Sequence, residues 1–422
     1  MALESKIPVS EQSGFGLQNL PYCVFSTTNS TPRAGMALGD QIIDLTLLAQ
    51  TGVFNTIHPS FNSVFNQPTL NEYIGLGKEI TNALRLKVQQ IFTKGNSEVA
   101  EIEKYTLAQS EVSYHLPIAI GDYTDFYSSK YHAYNVGVMF RGPENALMPN
   151  YLHLPVGYHG RASSIVVSGT PLNRPWGQVK PADAELPTFT TSKQLDFELE
   201  MAYVIGKENG LGNPVTTTEA KDYVFGFMLF NDWSARDIQS WEYVPLGPFL
   251  GKNFGSSLAP FIVTAEALEP AKTELPTQQP AVLQYLEVEQ KSAYDIELEV
   301  AIQPNGGTET IISKSNTKYL YWSVQQQIAH HSVNGCNLRI ADLYASGTIS
   351  APTETGYGSM LELTWRGTKP LTLSDGTERK FINDSDTVIM RAYAQANGEK
   401  IGFGEVTTTI LPAIANKWEK IQ

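Results

Sequence analysis

Apolar and polar residues alternate along several stretches of this chain. The clearest is Asp196-Phe197-Glu198-Leu199-Glu200-Met201-Ala202-Tyr203-Val204-Ile205-Gly206. A period of two predicts a strand, with Glu198 and Glu200 on one face, roughly 7 Å apart, and Phe197, Leu199, Met201 and Tyr203 on the other. Two carboxylates so close repel each other unless water or a cation stands between them. A solvated edge-strand face meets that demand as well as a cation site does. A second copy, Tyr294-Asp295-Ile296-Glu297-Leu298-Glu299-Val300, runs into Gln303-Pro304-Asn305-Gly306-Gly307. That sequence reads as an exposed hairpin turn, so Glu297 and Glu299 are expected to face solvent.

Other patterns complete the outline. Residues 15–25 read as a glycine-rich turn and a strand, and 33–45 as two strands joined at Gly39-Asp40. Residues 70–92 have helical spacing, and a helix over 130–140 is capped by Ser128 or Ser129. The proline-rich 171–187 reads as a surface loop, and Thr216 to Glu219 as a capping box. Continuous apolarity marks 224–230 as a buried strand ending in Asn231-Asp232-Trp233-Ser234-Ala235-Arg236-Asp237-Ile238-Gln239. If that end turns helical, Asp232, Arg236 and Gln239 lie on one side. Residues 318–333 read as a helix closed by Asn334-Gly335, its last-turn His330 and His331 explained by the helix dipole. Residues 358–365 read as an alternating strand with one acid, Glu362.

The length of 422 residues favours two domains. We divide the chain into 1–117, which holds no cluster of catalytic residue types and reads as structural, and 118–422. Charged residues make up 17% of the chain and hydrophobic ones 42%, so both units are globular. The 33 glycines and 24 prolines favour many short strands. A net charge of −13 argues against a nucleic-acid partner. Cys23 and Cys336 alone suggest neither a disulfide framework nor a cysteine zinc site. No signal core or membrane-spanning run is evident, so a soluble cytoplasmic protein is expected.

Candidate chemistry concentrates in the second unit. Asp125, Tyr127, His132 and Arg141 fall within seventeen residues. His153 and His159 lie on a rigid Pro/Gly loop, where packing or exposure explains them. The segment 247–257 is glycine-rich and carries Lys252, but its order and spacing are not those of a P-loop.

Together, 125–141, 197–206, 231–239, 251–254, 346–350 and 358–362 resemble the fumarylacetoacetate hydrolase family, and the likeness extends over nearly the whole chain. The resemblance implies a mainly β fold with α/β elements: a small N-terminal SH3-like barrel, a larger C-terminal mixed β-sandwich roll, and a homodimer. It implies Ca²⁺ or Mg²⁺ held by Asp125, Glu198, Glu200 and Asp232, and a nearby position using Asp232 with Lys252 and Ser256, where family members have threonine in place of Ser256. All-oxygen ligands suit a hard cation. The implied reaction is hydrolysis of a carbon–carbon bond in a diketo acid. His132 is the expected general base, oriented by Glu362. Arg236, Gln239 and Lys252 are expected to take the developing charge. Tyr127, Arg141, Tyr158, Gln239, Tyr243 and Thr348 are expected to bind substrate. Acylpyruvate hydrolysis and 2-oxoacid decarboxylation are competing readings within the family. A calcium-stabilised binding protein without turnover is a competing reading outside it.

Overall fold

The acidic strand lies in the middle of the largest sheet and not at an edge. In the computed structural model, which describes residues 3–10 and 12–417, this sheet runs Gly157–Gly160, Tyr123–Phe126, Leu343–Ala345, Leu199–Ile205, Val224–Asn231, Ser256–Leu258, Ile165–Val167. Leu343–Ala345 pairs parallel with Tyr123–Phe126, and Ser256–Leu258 parallel with Ile165–Val167; the other neighbours on this path are antiparallel. A second sheet runs Thr310–Asn316, Ile296–Gln303, Thr387–Ala396, Glu399–Leu411, Leu172–Asn173. The first unit contributes five strands in the order Thr106–Ala108, Gln41–Asp44, Arg33–Leu38, Tyr22–Ser26, Ser113–His115, an open path among the described residues, and the whole is a mixed α/β fold.

The period of two explains how the layers meet. Leu199, Met201, Tyr203 and Ile205 point from the central strand into a core shared with Ile296, Leu298 and Val300 of the second sheet. Ala202 and Val204 point the other way. With Met228, Phe230, Leu343 and Ala345 they pack against Tyr22, Phe61, Tyr73 and other residues of the first unit. Side chains two apart share a face, so Glu198 and Glu200 continue this second face beyond its apolar part. One face of one sheet is therefore apolar where the first unit covers it and acidic at the end of the strands.

Several elements differ from the sequence pattern. The helical stretch 70–92 is two helices, Asn71–Ile74 and Lys78–Phe92, parted at Gly77, whose φ of +90° no other residue type adopts readily. The proline-rich loop contains the strands Leu172–Asn173 and Trp176–Val179. The run after Asn231 does not turn helical at Asp232: a two-residue strand, Ser234–Ala235, intervenes and the helix is Arg236–Glu242. The later helix is shortened to Val324–Ser332, started by a capping box at Ser323. The expected strand around Glu362 is a short helix, Met360–Leu363, whose first-turn N–H groups are bound by side chains. His331 is half-buried against Tyr344, and that burial, with His159 and His330 nearby, lowers its pKa to about 4. It is therefore neutral near pH 7, and a charge–dipole interaction does not account for it. Glu297 is exposed, as the hairpin reading expects, but Glu299 is half-buried beside Arg391.

Phe230 is fully buried on the face shared with the first unit. Phe230→Ala is expected to destabilise the protein by about 3–5 kcal/mol, measured as a lowered denaturation midpoint.

Candidate metal and catalytic site

Three strand ends bring the acids together. Asp125 closes Tyr123–Phe126, and Glu198 and Glu200 flank the start of Leu199–Ile205. Asp232 follows Val224–Asn231, its N–H donating to the Glu198 carbonyl at 3.3 Å. All four are buried, and each offers a carboxylate oxygen within 4.8 Å of the others. The Glu198–Glu200 face is thus a dry cluster and not a solvated edge. Gly347 lets the neighbouring chain approach it. Its φ is +75°, a Cβ there would stand 2.2 Å from the Phe126 carbonyl oxygen, and its N–H donates to Glu200 Oε2 at 2.9 Å.

Basic groups bind part of this charge. Lys252 Nζ donates to Glu198 Oε2 and Asp232 Oδ2, both at 2.6 Å. Arg236 Nη1 donates to Glu198 Oε1 at 2.6 Å, Ser256 Oγ to Asp232 Oδ1 at 2.9 Å, and the Tyr158 hydroxyl to Asp232 Oδ2 at 3.3 Å. Burial alone would discharge Lys252, but Asp232 and Glu198 outweigh it and keep the ammonium charged. Burial likewise works against the Glu198 carboxylate, and Lys252 and Arg236 overcome it and hold its pKa below the usual range. Asp125 and Glu200 lack such partners. Burial, then the neighbouring acids, pushes both well above the usual range, and Asp125 Oδ1 and Glu200 Oε1 have no hydrogen-bond partner. Unpartnered buried carboxylate oxygens beside two further acids fit a hard divalent cation.

His132 lies in the first turn of the helix Lys130–Arg141, capped by Ser129, whose hydroxyl accepts from His132 N. Its Nδ1 lies 2.7 Å from Glu362 Oε2. Asn135 donates to Glu362 Oε1, and Ser350 and Ser359 donate to Oε2. Burial works against the Glu362 carboxylate, but His132 and these hydrogen bonds together hold its pKa below the usual range. An ionised carboxylate only accepts, so Nδ1 carries the proton and Nε2 is left as the basic atom. A proton gained by His132 would act on Glu198, so the imidazole and the acid cluster share one electrostatic neighbourhood.

The remaining predicted residues divide. Tyr127 packs its ring edge-on to His132 at 5.2 Å between centroids. Gln239 meets Arg236 at 3.4 Å, and Thr348 is buried in the 346–350 segment beside Gly347. A cavity of about 410 Å³ between Tyr158, Lys252, Ser256 and Phe249 opens on Asp232. Tyr243 is half-exposed just past its helix, and Arg141 donates to the Asn145 and Ala146 carbonyls of its own turn. His153 and His159 are exposed, and neither joins the acids. Asn135, Ser350 and Ser359 escaped the sequence reading because single small polar residues carry no spacing signal. Asp196 was visible as the first acid of the alternating strand but suggested no role.

Comparisons with known proteins point to one family. A family model described as fumarylacetoacetate (FAA) hydrolase C-terminal matches residues 123–411, and one described as fumarylacetoacetase N-terminal matches 18–117. A fumarylacetoacetase of Homo sapiens is 51% identical over 418 residues, covering 97% of this chain and 99% of that one. One from Dictyostelium discoideum is 52% identical over 421 residues, covering 97% and 98%. The solved fumarylacetoacetate hydrolase of Exiguobacterium antarcticum aligns over 93% of this chain and 99% of its own, with a TM-score of 0.53 at 18% identity, a likeness of fold alone.

Asp125 and Glu200 bind protons more tightly folded than unfolded. In cation-free protein their contribution to stability is therefore lost as pH rises from the ordinary carboxylate range, about 4, through their raised pKa values. Denaturation midpoints of cation-free protein are expected to fall with pH across that window, and excess Ca²⁺ or Mg²⁺ to flatten the slope. Asp232→Ala is expected to lose the bound cation, measured by metal content after dialysis.

Proposed function

The chain belongs to the fumarylacetoacetate hydrolase family, and from this we propose that it cleaves 4-fumarylacetoacetate by carbon–carbon bond hydrolysis to fumarate and acetoacetate, a step of tyrosine degradation. It is an enzyme, a hydrolase acting on carbon–carbon bonds in ketonic substances. The observation that carries this reading is the buried cluster of Asp125, Glu198, Glu200 and Asp232 in the electrostatic reach of the His132–Glu362 pair.

We assign these four acids to a single Ca²⁺ or Mg²⁺ and, from the resemblance, Asp232 with Lys252 and Ser256 to a second position. A hard cation held there supplies Lewis acidity to the diketone oxygens. His132 Nε2 takes a proton from the attacking water, and Glu362 holds the ring so that this nitrogen is presented. The water oxygen bonds to the carbonyl carbon next to the fumaryl chain. The carbon–carbon bond breaks, and its electron pair leaves as the acetoacetate enolate, which takes up at carbon the proton that His132 removed from water. Arg236, Gln239 and Lys252 face the developing negative charge. Arg236 Nη2 is buried without a partner, which supports that role. Tyr127, Arg141, Tyr158, Tyr243 and Thr348 bind the diketo acid, with the guanidinium suited to a carboxylate. Division at 117/118 into an SH3-like barrel and a β-sandwich roll, a homodimer and a cytoplasmic location complete the proposal.

Turnover of fumarylacetoacetate, acetylpyruvate and oxaloacetate should be compared directly. Preference for the first is expected, and preference for either other substrate would move the chain to another activity of the family. His132→Ala is expected to lower kcat at least about 10²-fold with cation content unchanged. Chelation is expected to stop turnover, and added Ca²⁺ or Mg²⁺ to restore it.

A further inference from the structure

Asp196 is fully buried two residues before Glu198, in the strand pair Leu195–Asp196 with Ser234–Ala235. Its carboxylate has three partners on two elements. Oδ2 accepts from Arg236 Nε at 2.8 Å and from Leu361 N at 3.0 Å, and Oδ1 accepts from Met360 N at 2.6 Å. Arg236 is therefore held twice, at Nε by Asp196 and at Nη1 by Glu198. A guanidinium is a rigid plane, so fixing two nitrogens fixes the direction of the third. That third nitrogen, Nη2, is the buried and unpartnered one. The same carboxylate binds the first two N–H groups of Met360–Leu363, the helix that carries Glu362 to His132.

We propose that Asp196 is a positioning residue for the reaction. It aims Arg236 Nη2 at the oxygen on which negative charge builds as the carbon–carbon bond breaks, and it ties that aim to the helix presenting Glu362. This inference rests on the hydrolase reading above. Asp196 touches neither substrate nor cation and acts through Arg236 and the helix. An interaction strengthened only in the transition state is read in kcat, whereas a general loosening of the pocket is read in KM.

The test is Asp196→Asn in the cation-loaded full chain, with turnover of fumarylacetoacetate, far-UV circular dichroism and cation content measured together. A fall in kcat of about 10–100-fold is expected, with KM within about 3-fold and cation content unchanged. Arg236→Gln, costly in the wild type, is expected to add less than about 3-fold on the Asp196→Asn background, because its aim is already lost. Fully multiplicative costs, or an unchanged kcat in Asp196→Asn, would overturn the role. Asp196→Glu keeps the charge but displaces the carboxylate by one methylene, and it decides the matter if the asparagine variant does not fold. Loss of kcat is expected there as well, and full activity would show that charge alone matters and overturn the inference. A wild-type chain with no turnover would overturn the hydrolase reading itself, an outcome distinct from an active wild type with an equally active Asp196→Asn.

Discussion

Four carboxylates forced together away from water set the terms for the rest of this molecule. Two of them, Glu198 and Asp232, are answered from within by Lys252 and Arg236. The other two, Asp125 and Glu200, keep oxygens that nothing in the protein satisfies. Like charges at this spacing are tolerated only if protons or a cation intervene. The fold holds them there because each acid ends a strand of one sheet and the hydrogen-bond ladder fixes the spacing of those ends. Gly347 adds the last close approach, at a backbone angle that glycine readily supplies.

Around that cluster the polar groups form a connected network. Glu362 is gripped by His132, Asn135, Ser350 and Ser359, and the helix that carries it begins on Asp196. Asp196 also holds Arg236, which holds Glu198. Charge-assisted hydrogen bonds, joined through the backbone of the helix Met360–Leu363, therefore connect the imidazole to the acids. In a dry interior such bonds are strong, and each member restrains the next. Asp125, Glu200, His132, Arg236 and Glu362 sit on helices and strands, which lends the site rigidity.

Much of the fold and the site was legible in the sequence, and the failures have physical causes. The acidic strand and the buried strand before Asp232 follow from periodicity, because a strand's two faces answer to two environments. The same periodicity could not tell Glu198 and Glu200 from Glu297 and Glu299: the difference lies in what covers each strand, not in the strand. It also misread 358–365, where side chains bind the backbone N–H groups and favour a helical turn over a strand. Glu362 meets His132 across 230 residues, a contact that no local pattern encodes. The family resemblance supplied that pairing as an expectation. The role of His331 went astray because burial outweighs the helix dipole.

The sheet face that ends in the acids is, over its other half, a plate of Ala202, Val204, Met228, Phe230, Leu343 and Ala345 roofed by the first unit. The chemical half of the chain thus lacks a complete exterior of its own. Separated from the opening residues, it would show water a broad oily plane, the kind of surface through which proteins adhere to one another. A segment that contributes none of the reacting groups is what covers that plane.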